Sequence, residues 1–93
     1  MIMSEVTNNT ARSRYEISVD GAVAGYSQYV MKDGAVVFTH TEIDMDYEGQ
    51  GLGSKLVRGM LADVRERGLK MVPQCPFVKE YVKKHPEYAD LRA

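Results

Sequence analysis

Residues 48 to 54 read Glu-Gly-Gln-Gly-Leu-Gly-Ser, just ahead of a helical apolar pattern. Gly49, Gly51 and Gly53 remove side chains that would hold a ligand away from the backbone. The first amides of such a helix have no intrahelical partners and carry the positive end of its dipole, which suits a phosphate or pyrophosphate. The same glycines would serve equally for a tight turn and close packing of helix on sheet. Cys75 is the only thiol, between Gln74 and Pro76 at the start of a second helix. A helix N-terminus favours the thiolate, the nucleophilic form, although an unpaired cysteine also serves as a small buried apolar residue. His40 lies in a strand pattern, and its unperturbed pKa suits proton removal near pH 7. It could also pair with Cys75 as base and thiol, or be satisfied by its sheet neighbours. Glu42, two residues on, offers a carboxylate base or an ordinary strand carboxylate. His85 beside Pro86 reads as a helix-end residue, and Lys79, Lys83 and Lys84 as a solvated face or, because they lie on a terminal helix, as partners for a ligand's ribose phosphate.

Several phosphate and metal motifs are excluded. A Walker loop needs Gly-Lys followed by Ser or Thr, whereas Ser54 precedes Lys55 here. A dinucleotide fingerprint needs a third glycine three residues after the second and a βαβ unit, but Ser54 stands three after Gly51 and the loop follows an antiparallel pattern. Asp44, Asp46 and Glu48 imitate a calcium loop until its twelfth position, which is Lys55 instead of a bidentate acid. The two histidines and one cysteine have no metal-ligand spacing, so no metal is expected.

The elements that position these groups follow from periodicity. Tyr15, Ile17 and Val19 alternate with Arg14, Glu16 and Ser18 as a half-buried strand. Asp20-Gly21 and Lys32-Asp33-Gly34 read as tight turns flanking a second strand over Ala22 to Met31. In the third strand, Val36, Phe38, His40 and Glu42 share one face, with Val37, Thr39, Thr41 and Ile43 on the other. Leu52, Leu56, Val57, Met60, Leu61 and Val64 then recur at helical spacing, and Gly68 suits the C-terminal cap. Leu69 to Val72 is a short strand, and Pro76 starts a helix with Phe77, Val78, Tyr81 and Val82 as its apolar stripe. Pro86 ends it, with Tyr88 and Leu91 available to dock. The expected order is β-β-β-α-β-α, an α+β fold in a single domain over residues 12–93. Residues 1–11, mostly small and polar, read as a flexible leader.

Composition narrows the setting. The 93 residues carry 12 Lys+Arg and 13 Asp+Glu, so no basic excess exists to hold a nucleic-acid backbone. Every apolar run is interrupted by charge or glycine, which argues against a membrane span. One cysteine permits no internal disulfide, and Met1-Ile2-Met3-Ser4-Glu5 has no secretory pattern, so the expected compartment is cytoplasmic.

Taken together, the strand Val37 to Ile43 with its His40-Thr41-Glu42 run, the acidic link, the Gly49-Gln50-Gly51-Leu52-Gly53 loop and the following helix resemble the acetyl-coenzyme A site of the GNAT superfamily of N-acetyltransferases. The run Cys75-Pro76-Phe77, with Tyr81 and His85-Pro86-Glu87-Tyr88, is similar to the short single-domain YjdJ-type branch. The resemblance spans roughly residues 12 to 91. It implies acetyl-coenzyme A as cosubstrate, with the backbone of Gly49, Gln50, Gly51, Leu52, Gly53 and Ser54 holding the pyrophosphate and Ile43 bonding the pantetheine arm. The superfamily has Gln or Arg where this chain has Glu48, whose carboxylate would repel phosphate unless turned to solvent.

The expected activity is transfer of acetyl to an amine. The amine either attacks directly after losing a proton to His40 or Glu42, or receives the group from Cys75. The alternative is a non-catalytic acyl-coenzyme A-binding or regulatory module. The acceptor stays open between a protein amine and a small molecule, as does the choice of monomer or weak homodimer. A chain this short leaves few residues for an acceptor pocket, which implies an open acceptor side.

Overall fold

A computed structural model describes residues 3–93. Its elements are β1 (Ser4–Asn9), β2 (Arg14–Val19), β3 (Ala22–Lys32), β4 (Ala35–Ile43), α1 (Leu52–Glu66), β5 (Lys70–Pro73) and α2 (Pro76–Lys84), with 3-10 turns at Thr10–Arg12, Met45–Tyr47 and Pro86–Leu91. The five strands form one sheet in chain order, antiparallel except for the parallel pair β4–β5. The α+β class expected from periodicity holds, with one more strand: the order is β-β-β-β-α-β-α.

The additional strand corrects the reading of a flexible leader. Ser4 to Asn9 pair in continuous register with Val19 to Arg14. An edge strand needs only backbone partners on one side and few apolar residues, so its composition resembles a tail. Here the polar side chains are used. Tyr29 Oη donates to Asn8 Oδ1 at 2.7 Å, Asn9 Nδ2 donates to Glu16 at 3.2 Å, and Lys55 Nζ donates to Ser4 Oγ. Val6 packs against α1 at Gly59, where an added Cβ would come within 2.9 Å of the valine.

Both hairpins turn through two residues of positive φ, Asp20-Gly21 (49° and 87°) and Asp33-Gly34 (52° and 78°), as a type I′ turn requires. The six apolar positions of α1 are all buried against one face of the sheet, with Ile17, Val36 and Phe38 in the same core. Gly68 closes α1 at φ 68°; its amide donates to Arg65 O and that of Leu69 to Val64 O, the paired bonds of a Schellman cap.

Two features of β4 determine where chemistry can occur. It pairs with β5 only from Ala35 to Phe38, then runs on to Ile43 while the other chain turns away through Cys75 into α2. Opposite β3 its register slips: Tyr29 pairs with Phe38 but Gln28 with His40, leaving Thr39 as a bulge. The bulge overturns the expected shared face of Phe38, His40 and Glu42. Phe38 is fully buried, His40 and Glu42 are exposed, and Thr41 and Ile43 turn toward the core side instead.

Among the described residues, no helix is long and apolar enough to cross a membrane. The stripe read on α2 divides: Val78 and Val82 are buried, Tyr81 is half-buried and Phe77 is exposed. Leu91 docks into the core beside Met71, whose carbonyl accepts from the Ala93 amide at 2.9 Å.

Candidate active site

The glycine loop lies where β4 hands over to α1. Gly49 and Gly51 have φ of 82° and 72°, and a Cβ at either would meet no atom within 4 Å, so open space faces the backbone there. Gly51 is the N-cap of α1 and supplies no side-chain bond, and the first turn carries no acid. The amides of Leu52, Gly53 and Ser54 are the ones an α-helix leaves unpaired at its start. Gly53 has a different role, since an added Cβ would lie 2.6 Å from Phe77 Cζ. A groove of about 250 Å³ runs over this backbone between Ile43 and Phe77. Glu48 lies on its rim with an exposed, extended backbone, compatible with a carboxylate turned to water.

A second groove, about 620 Å³, opens at the ends of β3 and β4, bordered by Arg14, Tyr26, Glu42, Ile43 and the Asp44–Asp46 turn. Tyr26 Oη donates to Glu42 Oε2 at 2.7 Å, and His40 Nε2 stands 3.7 Å from the same oxygen. Their side chains are 56% exposed for His40 and 60% for Glu42, so either can reach a ligand. The hydrogen bond to Glu42 is the main cause that holds the Tyr26 phenol above its ordinary pKa. The Arg14 guanidinium sits 4.6 Å over the Tyr26 ring and bonds Glu16 at 2.7 Å, which pulls the Glu16 carboxyl below its usual range.

Cys75 is placed otherwise. It is 3% exposed and belongs to the core, its amide donates to Phe38 O at 2.8 Å, and its thiol donates to Thr41 Oγ1 at 3.3 Å. Thr41 Oγ1 in turn pairs with the buried Ser27 Oγ at 2.9 Å. His40, across the bulge on the exposed side, is not the partner of this thiol. The structure therefore brings His40 and Glu42 together and separates both from Cys75.

The family model for GCN5-related N-acetyl-transferases matches residues 14–91. The chain belongs to this family. Its fold is similar to that of a GCN5-like protein from Staphylococcus aureus solved by NMR, with TM-score 0.72 and 23% identity over 96% of this chain and 87% of that one. It is also similar to ribosomal-protein-alanine N-acetyltransferase from Brucella melitensis biovar Abortus, with TM-score 0.57, 24% identity and 86% coverage, spanning 60% of that longer chain. No curated protein matches the chain.

In this GCN5-related chain, three residues of the site escaped sequence reasoning. Tyr26 reads only as one of several tyrosines in β3. Its contact with Glu42 depends on the bulge, because an unslipped hairpin would set Tyr26 opposite Thr41. Phe77 has helical spacing with Val78 and Tyr81, which signals core, yet it is 45% exposed over the glycine loop. Thr41 stands in the His40-Thr41-Glu42 run, but its contact with Cys75 carries no signal until β4 and α2 are brought together. Among the described residues, no cluster of histidine, cysteine and acids could hold a metal ion.

Proposed function

We propose that this chain is an acetyl-coenzyme A-dependent N-acetyltransferase that transfers acetyl directly to an amine. The observation that carries this reading is the position of Ile43, which borders both grooves at once. A coenzyme held by the amides of residues 49–54 would run along the unpaired end of β4. An acceptor entering beside Tyr26 would meet it there.

The coenzyme supplies an acetyl group activated as a thioester. Glu42 takes the proton of the acceptor ammonium, with His40 within reach of the same carboxylate. The amine nitrogen bonds the carbonyl carbon of the acetyl group as the carbon–sulfur bond breaks, and the proton that the nitrogen then gives up goes to the departing sulfur, so the coenzyme leaves as its thiol. Tyr26 orients Glu42 through the 2.7 Å hydrogen bond and leaves its other oxygen free. Burial of the Cys75 thiol favours direct attack over an acetyl-cysteine intermediate, since an acyl group on that sulfur would have to displace core side chains. The amine class stays as broad as the groove, which is open along its length.

Isothermal titration with acetyl-coenzyme A, followed by free-thiol assay with peptide lysines, polyamines and small amines, tests the reading. Saturable binding with thiol release in the presence of one amine class is expected. Binding without release from any amine would make the chain a coenzyme-binding module, and absence of binding would overturn the proposal.

A further inference from the structure

Val30, Val37 and Val72 are direct partners in β3, β4 and β5, forming one row across the sheet. None of them belongs to the core beneath α1 and α2. Strand alternation explains this: their chain neighbours Tyr29, Val36, Phe38 and Met71 are core residues, so the valines point to the opposite face. Both helices send their buried side chains to the core side. Among the described residues, no helix is left to cover the valine row. Val37 is 5% exposed between its two partners, whereas Val30 is 53% exposed. Single apolar residues in water need no explanation, but a contiguous row of them on a bare sheet face does.

The row shares its face with the base side of the site. Tyr26 lies four residues before Val30 on β3, so both side chains point the same way, about 13 Å apart at the rise of a strand. Tyr26 pairs with Glu42, and Gln28, midway, pairs with His40. The charges change sign along this track. Glu42, Asp44 and Asp46 border the groove at one end, and Lys32 and Lys70 flank Ala35 in the row beyond the valines. A stable dimer buries about 800 Å² on each partner around an apolar centre, and a valine row with one member already covered is too small for that. The track suits a narrow, extended segment instead.

We propose that the acceptor amine is the side chain of a lysine in an extended polypeptide segment, which lies along this face with an aliphatic side chain on the valine row. The assignment rests on the direct-transfer reading above and narrows the amine class that the groove itself leaves broad. An extended segment also rises about 3.3 Å per residue, so the aliphatic residue stands four positions from the lysine. An even spacing keeps both side chains on the same side of the segment, toward the sheet. An acidic residue two positions further on meets Lys32.

Turnover by the full chain, read as free-thiol release from acetyl-coenzyme A, is compared for propylamine and a set of lysine peptides. One peptide carries leucine four residues after the lysine, another carries it four residues before, and the control has serine at both positions. One leucine peptide is expected to exceed the control roughly tenfold in kcat/KM, chiefly through a lower KM, the scale of two buried methyl groups. The Val30→Thr, Val72→Thr double variant keeps branched strand formers but puts a hydroxyl in place of one methyl at each position. It should erase the leucine preference and leave propylamine within about twofold. Equal turnover of all the peptides overturns the docking assignment. So does a leucine preference that survives the double variant, or a loss shared equally by propylamine. Sedimentation showing a wild-type dimer that the double variant dissociates also overturns it, by giving the row to a second copy. Turnover of propylamine without any peptide sinks the docking assignment alone, whereas thiol release with none of the acceptors overturns the acetyl-transfer reading and this assignment with it.

Discussion

Tyr26 and Glu42 are direct cross-strand partners in β3 and β4, and the phenol donates to the carboxylate at 2.7 Å. The pairing exists because the Thr39 bulge advances β4 by one residue, which also turns Glu42 out of the sheet toward the larger groove. A carboxylate held by one donor keeps its other oxygen open to the groove, where the proposed reaction needs a base. Glu42→Gln should therefore lower kcat at least a hundredfold, the usual contribution of a positioned base. Its melting temperature should shift little, since the side chain is largely exposed. Tyr26→Phe should cause a smaller loss in kcat with a displaced pH–rate profile, as expected of a positioning residue. A pH–rate profile unchanged in Tyr26→Phe would deny it that role.

The fold was largely legible in the chain because its signals are local. Asp-Gly turns, the 3.6-residue stripe of α1 and Gly68 depend on neighbours in sequence, and each element appears where they point. β1 was not legible, since its polar residues find partners in Tyr29, Glu16 and α1, all remote in sequence. The glycine loop and the candidate bases His40 and Glu42 could be read from the chain, yet the face those two take and the contact of Glu42 with Tyr26 could not. One bulged residue reverses the face of everything after it in the strand. No residue type in Phe38-Thr39-His40 announces that slip.

Gly59 tests the docking of β1. An Ala there improves helix propensity by about 0.5–1 kcal/mol in isolation. Its Cβ would nonetheless stand 2.9 Å from two atoms of the Val6 side chain, held by a paired strand. Gly59→Ala should therefore be destabilising, by roughly 1–3 kcal/mol as overpacking usually is, in chemical denaturation. The Gly59→Ala, Val6→Ala double variant should recover part of that loss, because the smaller residue restores the clearance.

Gly51 tests the cradle. Its φ of 72° is left-handed, so an alanine costs about 1–2 kcal/mol of stability. The new methyl meets no protein atom and enters the space over the loop. Gly51→Ala should thus weaken acetyl-coenzyme A binding beyond what its lower melting temperature explains. Titration well below the melting transition separates the two effects.

Tyr15 governs the alkaline limit. Its hydroxyl donates to Asp63 Oδ2 at 2.5 Å beneath α1, and burial, then Asp63, pushes the phenol well above its ordinary value near 10. The folded state therefore keeps a proton that the unfolded chain releases. This contribution is fully present below about pH 10 and is lost as pH rises from there toward the folded value. Urea midpoints of the wild type should fall above pH 10 more steeply than those of Tyr15→Phe. At neutral pH, Tyr15→Phe should itself cost about 1 kcal/mol, the net value of one hydrogen bond.

Cys75 decides between the two chemical routes. Its thiol is within the core and donates to Thr41, which keeps a second partner in Ser27. Cys75→Ala removes one buried atom and one weak bond, and should destabilise by about 1–2 kcal/mol. If the amine attacks the thioester directly, kcat per folded molecule should stay within twofold of wild type. Cys75→Ser tests the same point differently, because a hydroxyl can still bond Thr41 but is a far poorer acyl acceptor. Intact-mass measurement after incubation with acetyl-coenzyme A alone should show no acetyl adduct. An adduct that disappears on adding amine, together with loss of turnover in both variants, would establish the cysteine route and require the core around Cys75 to open during the reaction.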